Sequence, residues 1–333
     1  MQSIASDGPM PRRAPFLSWL LVSTLALLPA CAFTQAPSFP RPPMPLQAED
    51  VDRYRLPGEV ELLKFEPTED ATVFVGDLAA GSETVHFHLY RAKRIDAPLV
   101  LLVPILGGGE ELLRTMSRRF VERGYHAIYC DRAGSALRPP QRGPELETLL
   151  VRTVLHQRIA LAWASDCAAI RPVQKFACGV SMGGIVTTVL TAVEPSLSGS
   201  AMCLAGADLP TILGNSSEAR IEKWRNWRLA EDGLAGNLLE RELRAALRSD
   251  PLRLGPCVRT DRVFLVAADF DDVVRPAHQD LLWEALGRPQ RLCIPLGHYT
   301  AALCLDPLIS SIADFFDGKR QPPAAMVAAG TAR

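Results

Sequence analysis

The sequence lacks a surplus of charge of either sign: 36 Lys and Arg stand against 37 Asp and Glu, a formal net charge of -1. Binding to nucleic acid draws on an excess of cations, and a balanced chain gives no electrostatic case for it, nor for a strongly acidic or basic partner. No CxxC pair and no internal repeat are present. With Cys31 set apart, Cys130, Cys167, Cys178, Cys203, Cys257, Cys293 and Cys304 remain, an odd set that cannot all pair within one chain. Most lie in apolar runs and read as buried thiols, with a disulfide compatible with export but not assignable. Metal binding and cofactors find no support. The uncharged apolar stretch Phe16 to Leu28 is too short to span a bilayer comfortably.

That stretch follows Arg12 and Arg13 and ends in Leu28-Pro29-Ala30-Cys31, the layout of an export signal over residues 1–30. The last four residues resemble a bacterial lipobox, which implies lipidation of Cys31 and an envelope protein held on the membrane by its lipid. Soluble secretion after cleavage near Ala30 or Ala32, and retention as an uncleaved anchor, are the alternatives. Residues 31–57, with prolines at 37, 40, 42, 43 and 45, read as an extended tether.

The globular part is expected over 58–317, followed by a small-residue tail at 318–333. With 48% hydrophobic and 22% charged residues its composition is ordinary for a folded domain. Val73 to Val75 and Val85 to Tyr90 alternate as strands, with turns expected at Gly76 and at Ala79-Ala80-Gly81. Pro98 to Leu106 is apolar throughout, as in a strand buried on both faces of a parallel sheet. Helix-period and strand-like segments then alternate: helix 110–124, strand 126–129, helix 145–164, a strand ending at Val180, helix 185–193, strand 201–204, strand 263–267, helix 277–286, strand 291–294 and helix 305–316. This order predicts an α/β fold with a doubly wound, mainly parallel sheet flanked by helices. Residues 206–258 are too long for a simple connection and read as a helical cap insertion. Ile221, Trp224 and Trp227 share a helical face there, ringed by Arg220, Lys223, Arg225 and Arg228. Either the tryptophans line a substrate pocket, or the stripe is ordinary core.

Gly179-Val180-Ser181-Met182-Gly183 joins an apolar strand to an apolar helix. A serine forced into strained dihedrals on a tight strand-to-helix turn needs small residues two positions away on either side. A helix starting at the serine also leaves the Met182 N–H free for a developing oxyanion. A glycine-rich turn whose serine only caps a helix would give the same local pattern, so partners must decide. A serine hydroxyl needs a base, and the base an orienting acid. Of six histidines only His298, in Leu-Gly-His-Tyr past the last strand, has a loop position suited to a base. Asp269, Asp271 and Asp272 follow the strand Val263 to Ala267. Like charges so close cannot all be buried; Asp271 is the first choice and Asp272 the second. His86 and His88 form an HxH pair on a strand, but no third ligand with suitable spacing stands nearby, so an outward strand face is the better account.

The order Ser181, Asp271, His298 on alternating strands and helices resembles the α/β-hydrolase superfamily from about Val60 to Asp317. Gly179 to Gly183 is similar to its nucleophile elbow, Ala268 to Asp271 to its acid loop, and Gly297-His298 to its histidine turn. Where many members carry His-Gly after the third strand, this chain has Pro104-Ile105-Leu106-Gly107-Gly108-Gly109, which puts Leu106 at the second oxyanion donor. The resemblance implies a cofactor-free serine hydrolase acting on a small acyl substrate, an ester first. A thioesterase, amidase or acyltransferase would use the same machinery, and a non-catalytic binding protein at the cell surface is the reading from a different class.

Overall fold

The structure, a computed structural model, describes residues 34–320. The expected signal segment, Cys31 and most of the C-terminal tail lie outside the described residues. In chain order the strands are β1 Thr34–Ala36, β2 Glu61–Pro67, β3 Val73–Ala80, β4 Glu83–Tyr90, β5 Leu99–Val103, β6 His126–Cys130, β7 Lys175–Val180, β8 Leu197–Cys203, β9 Val263–Ala268 and β10 Gln290–Ile294. The α-helices are α1 Ala48–Arg53, α2 Glu110–Glu122, α3 Gly143–Asp166, α4 Met182–Val193, α5 Leu209–Asn215, α6 Ala219–Glu231, α7 Gly236–Ala246, α8 Pro251–Leu254, α9 Pro276–Ala285 and α10 Leu305–Asp317.

One sheet holds all ten strands in the order β1-β10-β9-β8-β7-β5-β6-β4-β3-β2. Its middle, from β10 to β6, is parallel, while β1, β4, β3 and β2 pair antiparallel towards the two edges. Leu-Val-Leu-Leu-Val of β5 is buried at every position because both faces are covered. Leu113, Met116 and Phe120 of α2 join Ile309, Ile312 and Phe316 of α10 over one face. Val154, Ile159 and Leu161 of α3 join Val186, Val189 and Leu190 of α4 over the other.

The chain passes from β5 to β6 on one side, then recrosses through α3 to enter β7 on the other side of β5. The strand order therefore reverses between β5 and β7, and a crevice opens beyond their carboxyl ends, where ligands bind in open α/β sheets.

Two expectations need correction. The strand expected to stop at Gly76 runs on to Ala80, because the missing side chain makes room for the Phe87 ring of β4, 2.7 Å from where a Cβ would lie. The proline-rich stretch is extended but does not hang free. Thr34–Ala36 adds an edge strand to β10, Phe39 N–H donates to the Arg288 carbonyl (2.9 Å), and Met44 N–H donates to the Pro256 carbonyl (2.8 Å). Tyr54 at its end is fully buried with its hydroxyl 2.7 Å from Ser249 Oγ. Of the two accounts of the α6 stripe the core one holds: Trp224 is buried in the core of the inserted helices and donates through Nε1 to the Gln141 carbonyl, and neither tryptophan lines the cavities described below. Of the cations around that face, Arg228 is fully buried between Asp232 and Glu242 and Arg225 donates to the Ser216 carbonyl, while Arg220 and Lys223 are exposed. Among the described residues no helix is long and apolar enough to cross a membrane.

Candidate active site

Ser181 stands between the last residue of β7 and the first of α4, at φ 56° and ψ -123°. A non-glycine residue in that region is strained by roughly 1–3 kcal/mol, a strain that persists only where the surroundings over-determine it. The surroundings do so here. Ser181 N–H donates to the Cys203 carbonyl of β8 at 2.8 Å, and its own carbonyl accepts from Ile185 N–H at 3.1 Å. The flanking glycines allow the close approach. A Cβ on Gly179 would lie 2.2 Å from the Gly183 carbonyl oxygen, and one on Gly183 would lie 2.3 Å from the Val103 carbonyl oxygen of β5.

His298 follows β10, and its Nε2 lies 3.0 Å from Ser181 Oγ. Its Nδ1 lies 2.7 Å from Asp271 Oδ2. The loops carrying Asp271 and His298 are stitched together, Asp269 N–H donating to the Ile294 carbonyl and Phe270 N–H to the Leu296 carbonyl. Backbone bonds, rather than side-chain reach, set the spacing of the pair. The Asp271 side chain is fully buried; its Oδ1 accepts from the N–H groups of Val273 (2.9 Å) and Val274 (2.8 Å), and Gln279 Nε2 donates to Oδ2 at 3.3 Å. Asp269 and Asp272 face solvent. Of the three aspartates the structure brings Asp271 to the imidazole and leaves the second choice, Asp272, outside. No local sequence pattern marks Gln279. It sits eight residues beyond Asp271 on α9, and bonds to Ala268 and Val274 hold it there.

Met182 is the first residue of α4, so its N–H has no acceptor within the helix. Leu106 lies in a turn closed by Gly108 N–H donating to the Ile105 carbonyl at 2.9 Å, and its own N–H has no acceptor among the described residues. Two guanidinium groups converge on the Leu106 carbonyl, Arg132 Nη1 from the loop after β6 and Arg220 Nη1 from α6 at 3.1 Å. They fix the plane of the peptide that follows Leu106. Neither arginine stands in a motif, so the sequence carries no signal of this role.

Ser181, His298 and Leu106 line one cavity of about 350 Å³. Its walls are apolar: Leu112 and Met116 of α2, Leu308, Ile309 and Ile312 of α10, with Val180 and Leu204 below and Glu218 and Tyr299 among the polar exceptions. A smaller cavity of about 50 Å³ lies across the Ile105-Leu106 turn, lined by Met182, Leu209, Leu213 and Leu247. The inserted helices thus reach the site through Glu218, Arg220, Leu209, Leu213 and Leu247.

The other histidines have different partners. His126 is buried with Nδ1 accepting from Ala92 N–H, and burial pushes its pKa below the usual imidazole value. His156 meets Glu83, and His278 the Ala207 carbonyl. The described cysteines are free thiols, four of them buried. His86 and His88 acquire the third neighbour that spacing did not reveal, Asp131.

No protein-family model matches the chain. The uncharacterized protein YdjC of Bacillus subtilis (strain 168) is 34% identical over 71 residues, which is 21% of this chain; the match spans 61% of that relative's length. Solved structures with similar folds include acetyl xylan esterase 1 from Thermoanaerobacterium sp. JW/SL YS485 (TM-score 0.58, 13% identity, covering 79% of this chain and 91% of that one). A cold-adapted esterase from an Arctic intertidal metagenomic library gives a TM-score of 0.52 at 16% identity, covering 78% of this chain and 98% of that one. Est1E from Butyrivibrio proteoclasticus gives 0.53 at 15% identity over 74% and 98%. At such identities the likeness speaks for architecture: the chain has the α/β-hydrolase fold, a mainly parallel sheet flanked by helices, with antiparallel strands at its edges.

Proposed function

We propose that this protein is a serine hydrolase that cleaves a carboxylic ester through an acyl-enzyme intermediate. The observation that carries the reading is the continuous path from Ser181 Oγ to His298 Nε2 at 3.0 Å and from His298 Nδ1 to Asp271 Oδ2 at 2.7 Å, starting on a strained turn. In this reading Ser181 Oγ attacks the acyl carbonyl carbon and its proton passes to His298 Nε2. Asp271, held by two backbone amides, stabilises the imidazolium and keeps its Nδ1–H aimed away from the serine. Met182 and Leu106 N–H groups donate hydrogen bonds to the developing oxyanion. Collapse breaks the bond to the leaving oxygen, which takes the proton from His298 and departs as an alcohol. Water then loses a proton to His298, attacks the acyl carbon, and releases the acid as Ser181 regains its proton. No cofactor enters.

The apolar walls of the larger cavity favour an aliphatic or aromatic acyl group over a charged one, since each buried methylene contributes about 0.8 kcal/mol. Likeness to esterases supports the hydrolase reading by analogy of fold. Residues 31–57 leading into a 58–317 catalytic unit, with export and lipidation at Cys31, complete the proposal. Mass spectrometry of the mature N-terminus tests that part, and an unmodified start elsewhere overturns it.

The enzymatic reading is tested by labelling with a fluorophosphonate, wild type beside Ser181→Ala and His298→Ala, followed by a panel of acyl esters, thioesters and amides. Labelling lost in both variants supports an activated serine, and the panel sorts the acyl bond. A folded wild type that takes no label moves the binding-protein reading ahead.

A further inference from the structure

His86 and His88 are two residues apart on β4, so their side chains share one face of the sheet. The register sets His86 opposite Asp77 of β3 and His88 opposite Tyr129 of β6. Asp131 follows the end of β6 and is tied to β4 through its N–H, which donates to the His86 carbonyl at 2.9 Å. One ligand atom from each of His86, His88 and Asp131 lies within 4.8 Å of the others, and His88 Nε2 is 3.7 Å from Asp131 Oδ1. Ligands held tetrahedrally at about 2.1 Å from Zn²⁺ stand about 3.4 Å apart, so closing the set takes roughly an ångström of side-chain movement. The Asp131 side chain, 58% exposed, is free to make it.

The imidazoles are prepared for such a role. His86 Nδ1 lies 2.7 Å from Asp77 Oδ1, and an Nδ1–H donating to that carboxylate leaves the lone pair on Nε2. A carboxylate behind a histidine is the arrangement that orients metal ligands and raises their basicity. The His88 ring stacks on Tyr129 with centroids 4.6 Å apart, and the His86 ring stands edge-on to it at 5.2 Å, so both rings are held in place. Of the cations on this side, Arg114 is engaged with Glu110 and Arg132 with the Leu106 carbonyl. Tyr129, Asp131 and Arg132 line an open groove along this edge, giving solvent access.

We propose that His86, His88 and Asp131 bind one divalent transition-metal ion of the Zn²⁺ class, with Asp77 positioning His86 and a fourth position open to solvent. Two imidazole nitrogens and one carboxylate select Zn²⁺, Co²⁺, Ni²⁺ or Cu²⁺ over Mg²⁺ and Ca²⁺, which prefer all-oxygen sets. The site lies at the carboxyl edge of the sheet, between β6, two strands from β7, and β4, three strands from it, and is independent of the hydrolytic reading.

The test is titration of the untagged, metal-free full chain with ZnCl₂ by calorimetry, repeated with CoCl₂ to record visible absorption. One ion per chain is expected, with the intense bands of low-coordinate Co²⁺. The double variant His86→Gln/His88→Gln should lose it, Asp131→Asn should bind at least about tenfold more weakly, and Asp77→Asn about 10- to 100-fold more weakly. Far-UV circular dichroism checks folding, and Asp131→Asn, an exposed change, keeps the test decisive if the histidine variant does not fold. Zn²⁺ binding unchanged in Asp131→Asn, or lost in His298→Ala but retained in the histidine variant, overturns the proposal, as does an absence of binding to the wild type.

Discussion

Asp271→Asn separates the proposed chemistry from mere packing. The asparagine is almost the same size, and its carbonyl oxygen can still accept from Val273 and Val274 N–H in place of Oδ1. Its NH₂ then stands where Oδ2 stood, facing His298 Nδ1 and Gln279 Nε2. Turning the amide over would instead set its NH₂ against two backbone N–H groups. The economical response is for His298 to move its proton to Nε2, leaving a lone pair on Nδ1 for the new donor. The imidazole then presents a hydrogen to Ser181 Oγ where a base is needed. In a Ser-His-Asp hydrolase this wrong tautomer costs about 10⁴ in kcat, or about 5.5 kcal/mol of barrier. KM should stay within a few-fold, since the carboxylate lines neither cavity. Steady-state hydrolysis of a p-nitrophenyl ester, with thermal melts to show that the fold survives, measures it. A variant within tenfold of the parent kcat refutes the assignment, all the more if Asp272→Asn is the one that fails.

Gly183→Ala drives a Cβ to 2.3 Å from the Val103 carbonyl oxygen and 3.1 Å from that of Pro104, so a loss of about 1–3 kcal/mol is expected in chemical denaturation, with impaired fluorophosphonate labelling. Ile309→Trp fills part of the larger cavity; excluding two methylenes of an acyl chain costs about 1.6 kcal/mol, so kcat/KM for long esters should fall about fifteenfold while acetyl esters are spared, a contrast read directly from the ester panel. Burial depresses the folded-state pKa of His126, so the unfolded chain takes up a proton more readily. Its contribution is therefore present above the unfolded value of about 6.5 and lost as pH falls from there through the lower folded value. Melting temperature should drop over that window, with a shallower slope in His126→Gln; equal slopes would remove His126 as a cause.

The elements legible in the sequence are those whose burial follows from their own residues. Leu99–Val103 and Val263–Ala268 are covered on both faces, and their unbroken apolar runs announce it. β2 gives no such sign: Glu61-Leu-Leu-Lys-Phe-Glu-Pro has a nearly continuous exposed pattern, and its strand character comes from pairing with β3. The three-residue β1 depends in the same way on β10. Prolines in the segment after it rule out regular structure but leave the amides of Phe39 and Met44 free to donate to the body, which composition cannot reveal. On α6 the apolar stripe was visible, but its destination was not; a helix shows which face is buried without showing against what.

The candidate site divides along the same line. The Ser181 turn is a covalent neighbourhood, where Gly179 and Gly183 must be small because backbone oxygens lie within 2.3 Å of their absent side chains, and such a constraint is written locally. His298 and Asp271 could be placed because each follows a strand, and parallel strands deliver their carboxyl ends to one edge. The residues that refine this arrangement come from elsewhere. Gln279 steadies the carboxylate from a helix, and Arg132 and Arg220 reach the Leu106 carbonyl from two separate segments. Asp131 meets His86 and His88 only because β4 runs antiparallel beside β6, bringing residue 131 level with residue 86. Spacing along the chain could not supply that third ligand, since the register of two strands joined by a buried β5 and α2 sets it.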